Sequence, residues 1–162
     1  VEVGLSNTYV LVQDGVGDSA MRNLEIIGGL DIFDQIPLKR ICDLVRSIKD
    51  VKFKQGEFVV REGTKGHKFY ILRRGVCKIY SRKTGKEFSK YIYSGDHFGE
   101  SAMIGDGIRL ANVFAETNVL LLEIDKADFL WCLGEQAQST AVRLMKRLNE
   151  LRQTPYSEYL NK

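Results

Sequence analysis

Residues 51–80 read VKFKQGEFVVREGTKGHKFYILRRGVCKIY, and their texture decides the fold class. Val51 and Phe53 alternate with Lys52 and Lys54, the period-two pattern of a half-buried strand. Gly56 turns the chain into Phe58-Val59-Val60. Glu62-Gly63 and Lys65-Gly66 then bracket a loop before Phe69-Tyr70-Ile71-Leu72, and Gly75 precedes the run from Val76 to Tyr80. A parallel α/β sheet needs a helix between successive strands, and these short intervals leave no room for one. The stretch predicts a β-sandwich or barrel.

The pattern continues on both sides. A polar hairpin, Ser81 to Lys86 with Gly85, leads into Phe88 to Tyr93, and Asn112 to Ala115 and Val119 to Ile124 complete the strands. Upstream, Pro37 suits the first position of a helix in which Leu38, Ile41, Leu44, Val45 and Ile48 recur at helical spacing. Before that, Ser19 caps a helix from Ala20 towards Ile27 that Gly28-Gly29 stops or bends. Thr8 to Val12 suggests a short strand, broken by Gly15 and Gly17. Downstream, Asp125 caps a short helix, Lys126 to Leu133, ended by Gly134. A longer helix follows from Glu135 to Arg152, with an apolar stripe at Ala141, Val142, Leu144, Met145, Leu148 and Leu151, until Pro155 halts it. The order is helices, β-barrel, helices.

Composition excludes several classes. The 162 residues are 44% hydrophobic and 28% charged, enough apolar material for one core and too much for disorder. No apolar run approaches the roughly 20 residues of a membrane span. The opening Val1-Glu2-Val3 has no signal-peptide pattern and, lacking an initiator Met, reads as a piece of a longer protein. Cys42, Cys77 and Cys132 stand far apart without a C-x-x-C pair, which disfavours a disulfide framework or a zinc site and points to a reducing, cytoplasmic setting. His67 and His97 are too isolated for a metal cluster. The net charge of +3 divides into −5 over residues 1–35 and +8 over the remainder. That basic body suits an anionic ligand or an acidic partner, but it lacks the dense stripe of a nucleic-acid binder.

One segment carries chemistry: Gly95-Asp96-His97-Phe98-Gly99-Glu100-Ser101-Ala102-Met103-Ile104-Gly105-Asp106-Gly107-Ile108-Arg109-Leu110-Ala111-Asn112-Val113. It interrupts the strands. Gly99 permits a tight turn and a close ligand. Glu100 to Ile104 fit one helical turn ended by Gly105, and N–H groups at the start of such a turn favour an anion. Arg109 can return to that place and offer a planar fork to a phosphate. A carboxylate there would repel a phosphate, so Glu100 suits sugar hydroxyls. Together they describe a site for a sugar phosphate.

This segment resembles the phosphate-binding cassette of cyclic-nucleotide-binding domains, whose pattern is roughly F-G-E-x-A-L, a spacer, then P-R-x-A-x-V. Gln55-Gly56-Glu57-Phe58-Val59-Val60-Arg61-Glu62-Gly63, Phe69-Tyr70-Ile71-Leu72 and Arg74-Gly75 follow the same family's order. The eukaryotic protein-kinase branch is implied. Arg109-Leu110-Ala111-Asn112-Val113 is similar to the R-T-A-N-V of cGMP-dependent kinases, whereas Pro155-Tyr156-Ser157-Glu158-Tyr159 is more like the tail of a cAMP-dependent kinase regulatory subunit. Both stay open. The resemblance implies a mainly β fold with flanking α: a double-stranded β-helix, or jelly-roll barrel, over 30–134 with a short cassette helix. An N-terminal, partly helical segment occupies 1–29, and a C-terminal lid helix and tail occupy 135–162.

The family's site transfers as follows. The cassette Glu, here Glu100, accepts a hydrogen bond from the ribose 2′-hydroxyl. Arg109 pairs with the cyclic phosphate, and the N–H of Ala102 also meets it, in the turn formed by Phe98, Gly99, Glu100, Ser101 and Ala102. Leu110 and Ala111 fall where the family lines the base and phosphate ends of its pocket. Tyr156 is the first candidate to cap the base and Tyr159 the second. Two positions depart from the pattern. Ile108 replaces the Pro before the arginine, and Leu110 replaces the small hydroxyl residue of cGMP-selective members, so cAMP and cGMP both remain open. No cofactor is implied beyond that ligand.

The expected function is a regulatory binding module, not an enzyme. It would bind cAMP or cGMP and control a protein kinase catalytic domain, in cis or in trans, through movement of its C-terminal helices. No nucleic acid and no membrane span are expected. The alternative is a degenerate copy with a weak, unusual or absent ligand, acting as an interaction scaffold. A cupin-type metalloenzyme would need clustered histidines. A transcription regulator would need a helix-turn-helix that the last 28 residues do not suggest. Ser101 sits in G-E-S-A-M, not in the G-x-S-x-G of a hydrolase, and Trp131 is expected to pack into the core.

Overall fold

In the computed structural model, residues 18–81, 88–103, 107–143 and 146 are described. Helix α1 (Asp18–Gly28), a 3-10 turn (Asp31–Phe33) and helix α2 (Leu38–Ser47) come first. The strands are β1 (Lys49–Phe53), β2 (Phe58–Val60), β3 (Lys68–Arg74), β4 (Cys77–Ser81), β5 (Phe88–Ile92), β6 (His97–Phe98), β7 (Asn112–Ala115) and β8 (Val119–Asp125). A 3-10 turn, Glu100–Met103, lies between β6 and β7. After β8 come helix α3 (Lys126–Leu133), a 3-10 turn (Gly134–Gln136) and helical residues 137–143.

The strands form two four-stranded sheets, ordered β1-β8-β3-β6 and β2-β7-β4-β5, with antiparallel pairing throughout. The fold is mainly β with flanking helices. Its centre is the pair β3 and β8, apolar runs without the alternation of a half-buried strand because both of their faces are covered. Tyr70 and Leu72 of β3, with Val119 and Leu121 of β8, point into a core between the sheets that also holds Val60, Cys77, Ile92, Phe98, Val113 and Ala115. Phe69 and Ile71, with Leu122 and Ile124, point the other way into a second core shared with the helices. There Phe129 meets Phe69 at 5.5 Å and Phe33 at 5.8 Å between ring centroids. Ala102 and Met103 of the turn after β6 belong to this second core.

Helix ends follow local chemistry. The Asp125 carboxylate accepts from the Ala127 N–H at 3.3 Å, and α3 stops at Gly134, whose φ is +52°. Pro37 is the N-cap of α2, one residue outside the helix, and Ile48 is already extended. The segment 95–113 does not wholly interrupt the strands. His97 and Phe98 pair with Ile71 and Tyr70, in a strand too short to show a period. The helix expected from Glu135 opens instead as the 3-10 turn Gly134–Gln136.

Trp131 overturns its expectation. It stands 57% exposed, while Phe129, Cys132 and Leu133 are buried. The 3.6-residue period puts those three on one face of α3 and Trp131 on another. Of the apolar stripe, Ala141 packs against the helix-side core and Val142 is exposed. The strand expected at Thr8 to Val12, the hairpin expected at Ser81 to Lys86 apart from Ser81 itself, and all of the final helix after residue 143 except Lys146, which is helical and exposed, lie outside the described residues. Among the described residues, no helix is long and apolar enough to cross a membrane.

Candidate functional site

Arg109 is 5% exposed. A buried guanidinium must be hydrogen-bonded, and Arg109 donates from Nη2 to the Lys68 carbonyl at 3.0 Å and from Nη1 to the Gly99 carbonyl at 3.4 Å. Its own main chain is pinned by a two-way exchange with the loop before β3. The Arg109 N–H donates to the Thr64 carbonyl at 2.8 Å, and the Gly63 N–H donates to the Arg109 carbonyl at 2.9 Å. Lys65 and Ile108 form a further antiparallel bridge, and the Gly66 N–H donates to the Gly107 carbonyl at 3.1 Å. The loops before β3 and before β7 are thus zipped together. The expectation that Arg109 returns to the turn holds, and the arginine is no exposed surface group.

Two glycines make this packing possible. Gly99 has φ +96°, where any side chain is strained, and a Cβ on it would come within 3.0 Å of both Arg109 Nη1 and the Lys68 carbonyl. Gly66 leaves the guanidinium its space, since a Cβ there would collide with Nε, Nη2 and Cζ of Arg109.

The turn after Gly99 is 3-10 and spans Glu100–Met103. Its Ala102 N–H donates to the Gly99 carbonyl at 3.0 Å. That carbonyl therefore serves both the turn and the arginine. Ala102 is fully buried and Phe98 nearly so, its ring stacked on Tyr70 at 5.3 Å. Leu110 and Ala111 are half-buried.

Tyr70 feels the charges of both Arg109 and Glu123. Burial, with the Glu123 carboxylate adding to it and Arg109 opposing, pushes its phenol up to about 12. Beside it, Lys68 Nζ pairs with Asp125 Oδ2 at 2.8 Å and with Glu123 Oε1 at 3.7 Å. Among the described residues, no three His, Cys, Asp or Glu side chains come together to hold a metal ion.

The sequence matches the cyclic nucleotide-binding domain over residues 50–136, more than half of the chain. The chain belongs to that family.

This cyclic nucleotide-binding domain is similar to the cGMP-dependent 3′,5′-cGMP phosphodiesterase A of Dictyostelium discoideum, with 31% identity over 92% of this chain and 17% of the relative. It is similar also to the cAMP-dependent protein kinase regulatory subunit of Schizosaccharomyces pombe, at 30% identity over 88% of this chain and 31% of that protein. In three dimensions it resembles the regulatory domain of Toxoplasma gondii PKA, solved with cAMP. The TM-score is 0.72 at 24% identity, covering 85% of this chain and 52% of that one. The chain spans less than a third of the curated relatives it matches.

Of the residues singled out in the sequence, the fold brings Gly99, Ala102 and Arg109 to one place, with Glu100 and Ser101 in the turn between them. Phe98 serves the inter-sheet core, and Tyr156 and Tyr159 lie outside the described residues. Sequence reasoning missed Gly66, Lys68 and Tyr70. No local pattern marks a glycine that is needed for space or a lysine whose carbonyl does the holding.

Proposed function

We propose that this domain is a regulatory sensor that binds a 3′,5′-cyclic nucleotide and passes its occupancy to a protein kinase catalytic domain, in cis or in trans. The observation that carries this reading is the buried, doubly carbonyl-anchored guanidinium of Arg109 beside the Glu100–Met103 turn. Its carbonyl partners hold the planar fork beside the turn, an orientation that suits an incoming phosphate. Glu100 would take the ribose 2′-hydroxyl, and Leu110 and Ala111 would line the base and phosphate ends. The Ala102 N–H would reach the phosphate by giving up its bond to Gly99, so the turn must open slightly on binding. Tyr156 would cap the base.

Movement would reach the C-terminal helices through shared packing. Ala102 and Met103 occupy the same core as Phe129, Cys132 and Leu133 of α3, so a turn drawn towards a ligand cannot leave α3 where it was. The relatives' names, which pair cAMP with a kinase regulatory subunit and cGMP with a phosphodiesterase, support a cyclic nucleotide as ligand. The kinase as partner rests on the regulatory subunits.

Calorimetry with cAMP and cGMP, and with the linear 5′-monophosphates for contrast, tests the reading. Wild type binds a cyclic nucleotide in preference to its linear counterpart. Arg109→Ala loses about 2–3 kcal/mol, roughly 30- to 150-fold in affinity. Arg109→Lys recovers only part, because an ammonium cannot reproduce the planar fork. Affinity unchanged in Arg109→Ala would reject the phosphate contact.

A further inference from the structure

Lys68 joins two regions that a sensor must connect. Its carbonyl accepts from Arg109 Nη2 at 3.0 Å. Its ammonium lies 2.8 Å from Asp125 Oδ2. Asp125 is the N-cap of α3, and the next residue, Lys126, donates its N–H to the His67 carbonyl at 2.8 Å. One residue of β3 therefore touches the arginine through its main chain and the first turn of α3 through its side chain.

The pair is well made. Its hydrogen bond is the main cause that raises the Lys68 pKa above 10.5 and lowers that of Asp125 below 3.8. It is nonetheless partly exposed, with side-chain exposures of 33% and 44%, and exposed ion pairs add little to stability. Its effect is geometric. Lys68 and Asp125 also face each other in the β3–β8 ladder, so main chain and side chain hold one register. A guanidinium that turns towards an anion changes its pull on the Lys68 carbonyl. That peptide unit is joined directly to the Lys68 Cα, so a shift of the carbonyl moves the base of the Lys68 side chain and, through its ion pair, the cap of α3.

We propose that Lys68 is a positioning residue that makes the seating of α3 depend on what Arg109 holds, acting through its pair with Asp125. This rests on the reading that Arg109 binds a cyclic phosphate. Lys68 need not touch the ligand with its side chain. The coupling is a difference in free energy between occupied and empty states, and the share this pair carries is lost when the pair is removed.

Trp131, the single tryptophan, stands exposed on α3 and reports on that helix without a label. The experiment records Trp131 emission with and without saturating cAMP or cGMP in wild type, Lys68→Met, Asp125→Asn and Lys68→Arg. Calorimetry on the same samples establishes that ligand is bound. Asn retains the capping acceptor, so Asp125→Asn keeps α3 while losing the ion pair. The expected result is a ligand-dependent change in wild type that falls below about half in Lys68→Met and Asp125→Asn and returns in Lys68→Arg. A full-sized change in both pair-breaking variants, or no change in wild type with nucleotide bound, overturns the coupling and leaves the binding reading standing. No heat of binding in wild type overturns that reading and the coupling with it.

Discussion

Gly66 and Arg109 are in contact so close that a methyl group on the glycine would occupy the space of the guanidinium. The arginine is buried and bonded to two carbonyls, so it cannot swing aside without breaking them. Gly66→Ala is therefore expected to weaken cyclic-nucleotide affinity by about tenfold or more, equivalent to one lost charge-assisted hydrogen bond. Circular dichroism should stay native. A titration that matches wild type would show that the guanidinium's resting place does not matter to binding.

Phe129 lies where the helices, β3 and the 3-10 turn after Gly99 share one core. Phe129→Ala removes ring contacts with both Phe33 and Phe69 and should cost about 3–5 kcal/mol in urea unfolding. Leu130→Ala on the same helix is a control, since Leu130 is exposed and its truncation should change stability by less than about 0.5 kcal/mol.

The Lys68–Asp125 pair sets a pH window. Asp125 is held below its ordinary 3.8, mainly by its hydrogen bond from Lys68, so its contribution is present above that value and is lost as pH falls through the lowered one. Lys68 is raised above 10.5, so its contribution is present below that value and is lost as pH rises through the raised one. Solvent screening keeps the effect to about 0.2–1 kcal/mol. Thermal melts of wild type and Asp125→Asn should differ most between these limits and converge in acid. A gap that persists undiminished in acid would assign the difference to something other than this pair.

Cys42, Cys77 and Cys132 are free and buried. Burial pushes the Cys77 and Cys132 thiols up to about 11 and raises Cys42 as well. A thiol-reactive chromophore at about pH 8 should label none of the three in the folded protein and all three in denaturant. Rapid labelling of a native thiol would mean that one of these cores opens readily.

The strands, the α3 cap at Asp125 and its stop at Gly134 could be read from residue order, because each rests on a period or a turn residue acting within a few positions. So could the turn at Gly99, whose φ is +96°, since a glycine in such a turn has its meaning whatever surrounds it. Tertiary structure decided the rest. It alone placed Gly66 under the guanidinium, made the Lys68 carbonyl its seat, stacked Phe98 on Tyr70 and turned Trp131 outward. Those relationships join residues as far apart as Gly66 and Arg109, and main-chain carbonyls are the same in every residue type. Side-chain identity therefore could not announce them. They exist only once antiparallel pairing has brought the loops before β3 and β7 together.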